Sequence, residues 1–368
     1  MGWSYRLEVI LVMSRGLPAP AALQVPLCQS SRSSIRAFDY PLPKSHCMSH
    51  APSDTTPETR PETLGNHDHL ETILDFVRWA ASRMDEHGVF LGHGTHSYLD
   101  ESAWLVLEGL RLPPDLGNDW WQARLTSEER TTLVELIRRR CLDHTPTAYL
   151  LNRAWFLGQP YYVDERVLIP RSPFGDLIRD DFKGLLARSP TPQRLLDIGT
   201  GSGCIAIALA EHFPQADVVG SDIDFGALAV ASHNVADYQL ADRVELIQSD
   251  GFDQLLDADD KPLVFDLIVS NPPYVDPDEA EDLPDEYHHE PAGALFAPDQ
   301  GLALVERLLD QATEHLSPGG WIFIEMGNGR HWFDQRWPEH RGLWVDLSPA
   351  PSSIVAFKRE QLDQWRGE

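Results

Sequence analysis

Apolar residues at Leu70, Ile73, Leu74, Val77, Ala80, Ala81 and Met84 recur three and four positions apart, the spacing of one face of a helix. A second such face runs from Ala103 to Leu110. A third helix is predicted to start at a capping box, Thr126 with Glu129 three residues later, and to carry Leu133, Leu136, Ile137 and Arg140 on one side. Together they predict a helical domain over residues 66–146, about 80 residues and so too small to be comfortably stable alone. It should dock on the remainder of the chain, either as a lid that recognises substrate or as a structural cap.

Residues 147–172 are rich in aromatics (Tyr149, Trp155, Phe156, Tyr161, Tyr162) and contain Gly158 and Pro160, which predicts a bridging β-hairpin. Beyond it the period changes. Strand-like runs at 194–198, 216–221, 243–247, 264–270 and 321–325 alternate with helical runs at 203–213, 225–237 and 299–316. That alternation predicts an α/β fold, a Rossmann-like doubly wound sheet, over residues 173–360, with residues 361–368 as a C-terminal tail. Residues 1–65, with eight prolines, Ser/Thr clusters and no sustained helical period, read as a disordered extension. Met48 opens the Ser/Pro/Thr-rich part of it, so residues 1–47 are expected to be dispensable, a misassigned start upstream of the real one.

Composition narrows the classes. The 368 residues, 42% of them hydrophobic and 24% charged, suit a globular protein of two domains. Fifty-seven acidic against 30 basic residues leave a formal charge of -27, which repels a polyanion and argues against a duplex-wrapping surface. A basic partner fits better. Cys28, Cys47, Cys141 and Cys204 form no Cys-x-x-Cys pair, so neither a zinc site nor a disulfide framework is read from them, and a reducing cytoplasm is the expectation. The early apolar stretch Val9–Met13 is too short for a secretion signal and far short of a membrane span.

The strongest local signal is Leu195-Leu196-Asp197-Ile198-Gly199-Thr200-Gly201-Ser202-Gly203, a hydrophobic run that turns through alternating glycines into a helix. Glycines let a backbone turn sharply and approach a ligand closely. The spacing is Gly-x-Gly-x-Gly, not the dinucleotide Gly-x-Gly-x-x-Gly, and no P-loop lysine follows, so a pyrophosphate is less favoured. Asp222 lies about twenty residues past the last glycine, at the end of the next strand, where a carboxylate accepts both hydroxyls of a ribose. Asp250 ends a third strand, near where the base of an adenosine would lie. A single aspartate at such a place is more often a helix or turn cap; placement of the two at successive strand ends favours the ligand.

The run Phe265–Ser270 leads directly into Asn271-Pro272-Pro273-Tyr274. Two prolines fix φ, donate no N–H and hold a rigid extended turn with free carbonyls. An amide nitrogen is a poor nucleophile because its lone pair is delocalised. Held through its two hydrogens by the Asn271 side-chain oxygen and the Pro272 carbonyl, with Tyr274 stacked on the planar group, it would be aimed at an electrophile. Such catalysis works by orientation and electrostatics, with neither a protein nucleophile nor a metal.

Taken together, the glycine loop, Asp222 and Asn271-Pro272-Pro273-Tyr274 resemble the class I S-adenosylmethionine-dependent methyltransferases that modify planar nitrogens, in particular the protein-glutamine N5-methyltransferases, over roughly residues 67 to 360. The resemblance implies S-adenosyl-L-methionine as cofactor, held by Asp197, Gly199, Thr200, Gly201, Ser202, Gly203, Asp222, Asp250, Gly251, Phe252 and Asn271. It implies Asn271, Pro272, Pro273 and Tyr274 as the glutamine site. One branch of the family acts on release factors; the other, the PrmB type, acts on large-subunit ribosomal protein three. Gly92-His93-Gly94-Thr95, the runs 156–158 and 162–166, Pro170-Arg171-Ser172-Pro173 and Asp282–Pro291 resemble the latter. The release-factor branch typically reads Pro-Arg-Pro-Glu/Asp-Thr-Glu where this chain has Pro-Arg-Ser-Pro. The ribosomal protein is therefore the expected partner, with release factors as the alternative. Where release-factor relatives often place a tryptophan against the adenine, this chain has Gly251, so Phe252 or another side chain must supply that packing.

The segment Asp276–Glu290 holds eight carboxylates and no Lys or Arg, a surface that would steer a basic protein, though such a run is equally a solvated loop. His288 and His289 lack a second set of ligands at metal spacing, and a methylated amide sheds its proton without a strong base, so neither a metal site nor a general base is read there. Glu290 is expected to fix its loop and Cys204 to be a small buried hydrophobe. Two other classes compete: a nucleic-acid amino-methyltransferase, opposed by the charge and by the lack of a basic cluster beyond Arg138-Arg139-Arg140, and a non-catalytic module that binds the cofactor for stability.

Overall fold

The computed structural model describes residues 63–188, 191–347 and 353–366. The expectations for residues 1–62, the alternative start at Met48 included, lie outside the described residues; of the extension, residues 63–65 are described, and Leu64 is buried.

Helix α1 (Ile73–Glu86) opens on Thr72, whose hydroxyl accepts from Asp75 N while the Asp75 carboxylate accepts from Thr72 N, a reciprocal cap. Its buried face is Ile73, Phe76, Val77, Trp79, Ala80 and Met84; Leu74, expected on that face, is 43% exposed, because the bulkier Phe76 and Trp79 set the buried stripe. Helix α2 (Tyr98–Gly109) is capped by Ser97, and α3 (Ser127–Leu142) by the Thr126–Glu129 box. The three share one apolar cluster that includes Phe76, Leu105, Leu133 and Ile137.

The bridge is more varied than a hairpin alone. A short helix, α4 (Thr147–Leu151), precedes the antiparallel strands β1 (Ala154–Phe156) and β2 (Gln159–Tyr161), which turn at Leu157-Gly158, both with positive φ. A second cluster ties this bridge to both sides: Trp104 from α2, Tyr149, Val163 and Ile169 from the bridge, and Ala227 and Val230 from a helix of the sheet region.

Beyond α5 (Phe174–Arg179) the elements run β3 (Arg194–Ile198), α6 (Cys204–His212), β4 (Asp217–Asp222), α7 (Phe225–Asp237), β5 (Val244–Gln248), β6 (Phe265–Ser270), α8 (Ala292–Leu295), α9 (Ala303–His315), β7 (Leu316–Glu325), α10 (Arg330–Arg336), β8 (Leu343–Val345), β9 (Ile354–Lys358) and α11 (Arg359–Arg366). The seven strands lie in the order β5-β4-β3-β6-β7-β9-β8, with β9 antiparallel to both its neighbours and every other pair parallel. Successive residues point to opposite faces. Leu195, Leu267, Val269 and Phe323 pack on the face with α5 and α6, whereas Leu196, Ile268, Ile322 and Ile324 pack on the face with α9. Of the expected tail, residues 361–366 instead continue α11, with Leu362 fully buried and the Trp365 ring stacked on Phe357 at 5.3 Å, while 367 and 368 lie outside the described residues. Strand order reverses between β3 and β6, so the loops leaving their carboxyl ends diverge and open a crevice.

Candidate active site

The glycine loop leaves β3 on one side of that crevice. Gly199 N and Thr200 N donate to Ser221 O at 2.8 and 2.9 Å, which pins the loop to the end of β4. Gly203 starts α6 with φ +80°, and a Cβ there would lie 3.2 Å from the Ala231 Cβ, so this glycine sets helix packing and is not itself a wall of the cavity. Asp197 also lies behind the wall. It is fully buried, and its Oδ2 accepts from Thr200 Oγ at 2.7 Å and Ala206 N at 3.1 Å, joining the loop to the helix start. Burial pushes its carboxyl up to about 7, against the opposing hydrogen bonds.

Asp222, the last residue of β4, faces the cavity. Its Oδ2 accepts from Gly201 N at 2.9 Å and its Oδ1 from Asp224 N at 3.0 Å, contacts that fix the carboxylate beside the loop and leave further lone pairs for a ligand. Burial raises its pKa, with the two backbone donors acting in the other direction. Asp250 and Gly251, just past β5, line the same cavity. Phe252 does not. Its ring is 2% exposed, stacked on His315 at 4.3 Å in the core beneath α9, so it is not the side chain that packs on a base.

On the other side of the crevice, Ser270 Oγ donates to Ile198 O at 2.9 Å and binds the end of β6 to the end of β3. Asn271, Pro272 and Pro273 then line the cavity. The Asn271 Oδ1 atom is buried and has no hydrogen-bond partner, which leaves an acceptor at the cavity that a ligand or a water can satisfy. Tyr274 departs from expectation. Its side chain is turned back toward Gly327, and its hydroxyl donates to Glu325 Oε1 at 3.3 Å, away from the cavity wall. Glu325 ends β7 and Gly327 lies just past it, and only folding brings them beneath the proline turn.

The cavity of about 470 Å³ is closed by residues that sequence reasoning missed: Ile223 beside Asp222, the segment Arg171-Ser172, the wall Pro291–Pro298, and Leu304 and Arg307 on α9. Ile223 is 62% exposed, an apolar side chain held at the mouth of the site. Ser172 donates to Glu325 Oε2 and accepts from Phe174 N. Burial pushes the Glu325 carboxyl up to about 7, although Ser172, Tyr274 and Arg171 all favour its charge.

The acidic segment divides into two sets. Glu286 and Glu290 turn inward: Glu286 accepts from Phe90 N at 2.8 Å, Arg140 Nη1 at 2.9 Å and His144 at 3.1 Å. Glu290 contacts His93 Nε2 at 2.6 Å and accepts from Arg171 Nη1 at 2.9 Å and Ile169 N at 3.1 Å, so it does fix its loop. Asp278, Glu279, Glu281, Asp282 and Asp285 face solvent to a greater degree. His289 Nε2 contacts Asp143 O at 2.8 Å, and among the described residues no group of His, Cys, Asp and Glu could hold a metal ion. Cys204 is 6% exposed, and burial pushes its thiol up to about 12, which makes it inert.

Residues 183–286 match the methyltransferase small domain family. A ribosomal protein uL3 glutamine methyltransferase of Francisella tularensis is 37% identical over 298 residues, 81% of this chain and 93% of that protein. The proteins of the same name from Bordetella pertussis and Neisseria meningitidis are each 40% identical, over 81% and 80% of this chain and 98% and 95% of their own lengths. The chain belongs to this family. The glycine loop, the fixed Asp222 carboxylate and Asn271 of this uL3 glutamine methyltransferase line one cleft. No helix among the described residues is long and apolar enough to cross a membrane.

Proposed function

We propose that this chain is a protein-(glutamine-N5) methyltransferase that takes its methyl group from S-adenosyl-L-methionine and acts on one glutamine of ribosomal protein uL3, in the cytoplasm. The buried, unpartnered Oδ1 of Asn271, at the seam of β3 and β6, is the observation that carries the reading. A glutamine side chain offers two N–H donors and a planar amide. Asn271 Oδ1 takes one hydrogen and the Pro272 carbonyl the other, which points the nitrogen lone pair out of the hydrogen-bonding plane and away from the proline turn.

The residues present fit the cofactor. Asp222 is placed for the ribose hydroxyls, residues 199–202 for close backbone approach, and the Ile223 and Arg307 side for the base. S-adenosylmethionine, when bound, supplies a methyl group on a cationic sulfur. The lining sets Asp222, Asp224 and Asp250 against Arg166, Arg171 and Arg307 and has no phosphate cradle. The nitrogen gains the methyl and loses one proton to water, so no strong base is required of the chain. Tyr274, turned toward Glu325, buttresses the proline turn from behind, in place of the stacking role its motif implies.

The substrate is proposed as a basic protein and not a duplex. Of the run Arg138-Arg139-Arg140, Arg140 is buried on Glu101 and Glu286, and Arg138 is paired with Glu135 and Asp143. The helices over residues 66–146 serve as the substrate-recognition part, and the exposed carboxylates between Asp278 and Asp285 steer the cationic partner. Mass spectrometry tests the reading directly: purified uL3 and, separately, release factors are incubated with the protein and methyl-labelled cofactor. Label on a single uL3 glutamine is expected. Label on a release factor alone overturns the substrate, and no label on either overturns the activity.

A further inference from the structure

The structure leaves a specific gap at the adenine end of the cavity. Gly251 offers no side chain there, and Phe252 is committed to the core. Arg307 of α9 comes across from the opposite wall, 56 positions further along the chain. A Cβ built on Gly251 would lie 2.7 Å from Arg307 Nη2, 3.3 Å from Nε and 3.4 Å from Cζ. Three atoms of the guanidinium plane therefore rest on the glycine, and any residue with a side chain at 251 would displace them. Gly251 also has φ +61°, a conformation that L side chains rarely adopt. The same guanidinium grips the neighbouring residue: Nη2 donates to Asp250 Oδ1 at 2.6 Å and also to Asp250 O. Its Nε is buried and has no partner.

We propose that Arg307 is the adenine-packing residue of this enzyme, laying its guanidinium plane along the base where an aromatic ring would otherwise stand, and holding Asp250 against the edge of the base. The inference rests on the reading of this cavity as the S-adenosylmethionine site. Arg307, Asp250, Gly251 and Leu304 all line it, and Asp222 fixes the ribose position from the adjoining strand end. A guanidinium is flat, delocalised and weakly hydrated, so it stacks on a π-system as an aromatic ring does and still donates in its own plane. The ion pair with Asp250 stops the side chain from swinging into solvent, so little freedom remains to be lost on binding. Glycine at 251 and arginine at 307 are then one device: the first makes room for the second.

Calorimetric titration with S-adenosylhomocysteine tests this without any turnover, on wild type, Arg307→Lys, Arg307→Met and, as a reference for the ribose side, Asp222→Ala. Lysine keeps a cation for Asp250 but loses the plane; methionine keeps an apolar stem and loses both plane and cation. Both arginine variants are expected to bind about tenfold more weakly than wild type, with melting temperatures within a few degrees of it. A second ligand isolates the base: S-inosylhomocysteine, whose base carries an oxo group where adenine has its amine, should lose less affinity than the adenosyl ligand when Arg307 and its hold on Asp250 are removed. Wild-type affinity in Arg307→Lys and Arg307→Met, alongside a weakened Asp222→Ala, overturns the proposal while leaving the cofactor site intact. Equal losses for the two ligands overturn the link from Arg307 through Asp250 to the base edge. Failure of wild type to bind S-adenosylhomocysteine at all would instead overturn the reading of the cavity.

Discussion

Replacing Arg140 with methionine isolates the contribution of the buried charges that join the helices to the active-site loop. Arg140 is 1% exposed. Its Nε donates to Glu101 Oε1 at 2.5 Å, its Nη1 to Glu286 Oε1 at 2.9 Å and its Nη2 to Phe90 O at 2.9 Å. Methionine fills most of the volume but leaves two buried carboxylates without their arginine, with only the Thr95 and Thr147 hydroxyls on Glu101 and the Phe90 amide and His144 on Glu286. Removing one member of a buried ionic set costs about 3–5 kcal/mol, because the partners stay behind without a counter-charge. Urea unfolding at pH 7, followed by tryptophan fluorescence, should show a free-energy loss of that size, read as a lowered midpoint at unchanged slope. Adding Glu101→Gln and Glu286→Gln to the methionine variant removes the stranded charges and should restore more than half of the loss. A loss below about 1 kcal/mol in the single variant, the range of exposed pairs, or a triple variant less stable than the single one, would refute this account of the network.

Asp222→Ala should weaken S-adenosylhomocysteine binding at least tenfold, since hydrogen bonds to a charged group are worth about 1.5–3 kcal/mol, whereas Asn271→Ala should lower kcat with cofactor affinity near wild type; equal loss of affinity in both, by calorimetry, contradicts the division of roles. Glu325 titrates near 7 when folded against an ordinary 4.5, so the stability it contributes is complete below pH 4.5 and is lost as pH rises through 7. Glu325→Gln should flatten that fall by on the order of 3 kcal/mol between the two values, measured as denaturation midpoints against pH; curves that stay parallel rule it out. Glu286 runs the opposite way: burial opposes its charge, but the His144 hydrogen bond and Arg140 hold it near 2, so its contribution is present above pH 4.5 and is lost as pH falls toward 2. Removing it by Glu286→Gln should make acid unfolding less steep in that window. The KM for uL3 should rise several-fold as salt goes from low ionic strength to about 0.3 M, with kcat little changed; a KM independent of salt would exclude steering by the exposed carboxylates.

Five of the seven strands were legible because the central ones are buried on both faces and read as apolar runs, as in Leu195–Ile198 and Phe265–Ser270, each interrupted by one aspartate; the short antiparallel edge pair β8 and β9 was not read. The helix starts were legible where the cap matched a known pattern, as at Thr126, and were missed where aspartate took the third position, as at Thr72. Helix α11 was read as a tail because six of its eight residues are charged or amide-bearing and only Leu362 and Trp365 reach the core. Motif logic placed Asp222 and Asn271 on the cavity but could not orient Tyr274, whose position is set by Gly327 and Glu325 some fifty residues later. Arg307 gave no local signal, because a lone arginine on an amphipathic helix looks like any solvated residue until the fold brings Gly251 beneath it. The Ser172–Glu325 contact explains the Pro-Arg-Ser-Pro spelling physically: a proline at 172 has no hydroxyl for that carboxyl.

The acidic run 276–290 then has two uses that its composition conceals. All the partners of Glu286, Phe90, Arg140 and His144, come from the helical part, whereas Glu290 joins His93 of that part to Ile169 and Arg171 of the bridge. These two carboxylates are therefore fasteners, and each becomes costly if the helices leave, since burial without partners is what a carboxylate tolerates least. The carboxylates of Asp278, Glu279, Glu281 and Asp282 around them face solvent. One short stretch thus fixes the helices against the wall of the cavity through its inward pair and presents charge to solvent through the rest. Under the proposed function, a substrate drawn to that surface would arrive at the loop directly after Asn271-Pro272-Pro273-Tyr274 in the chain.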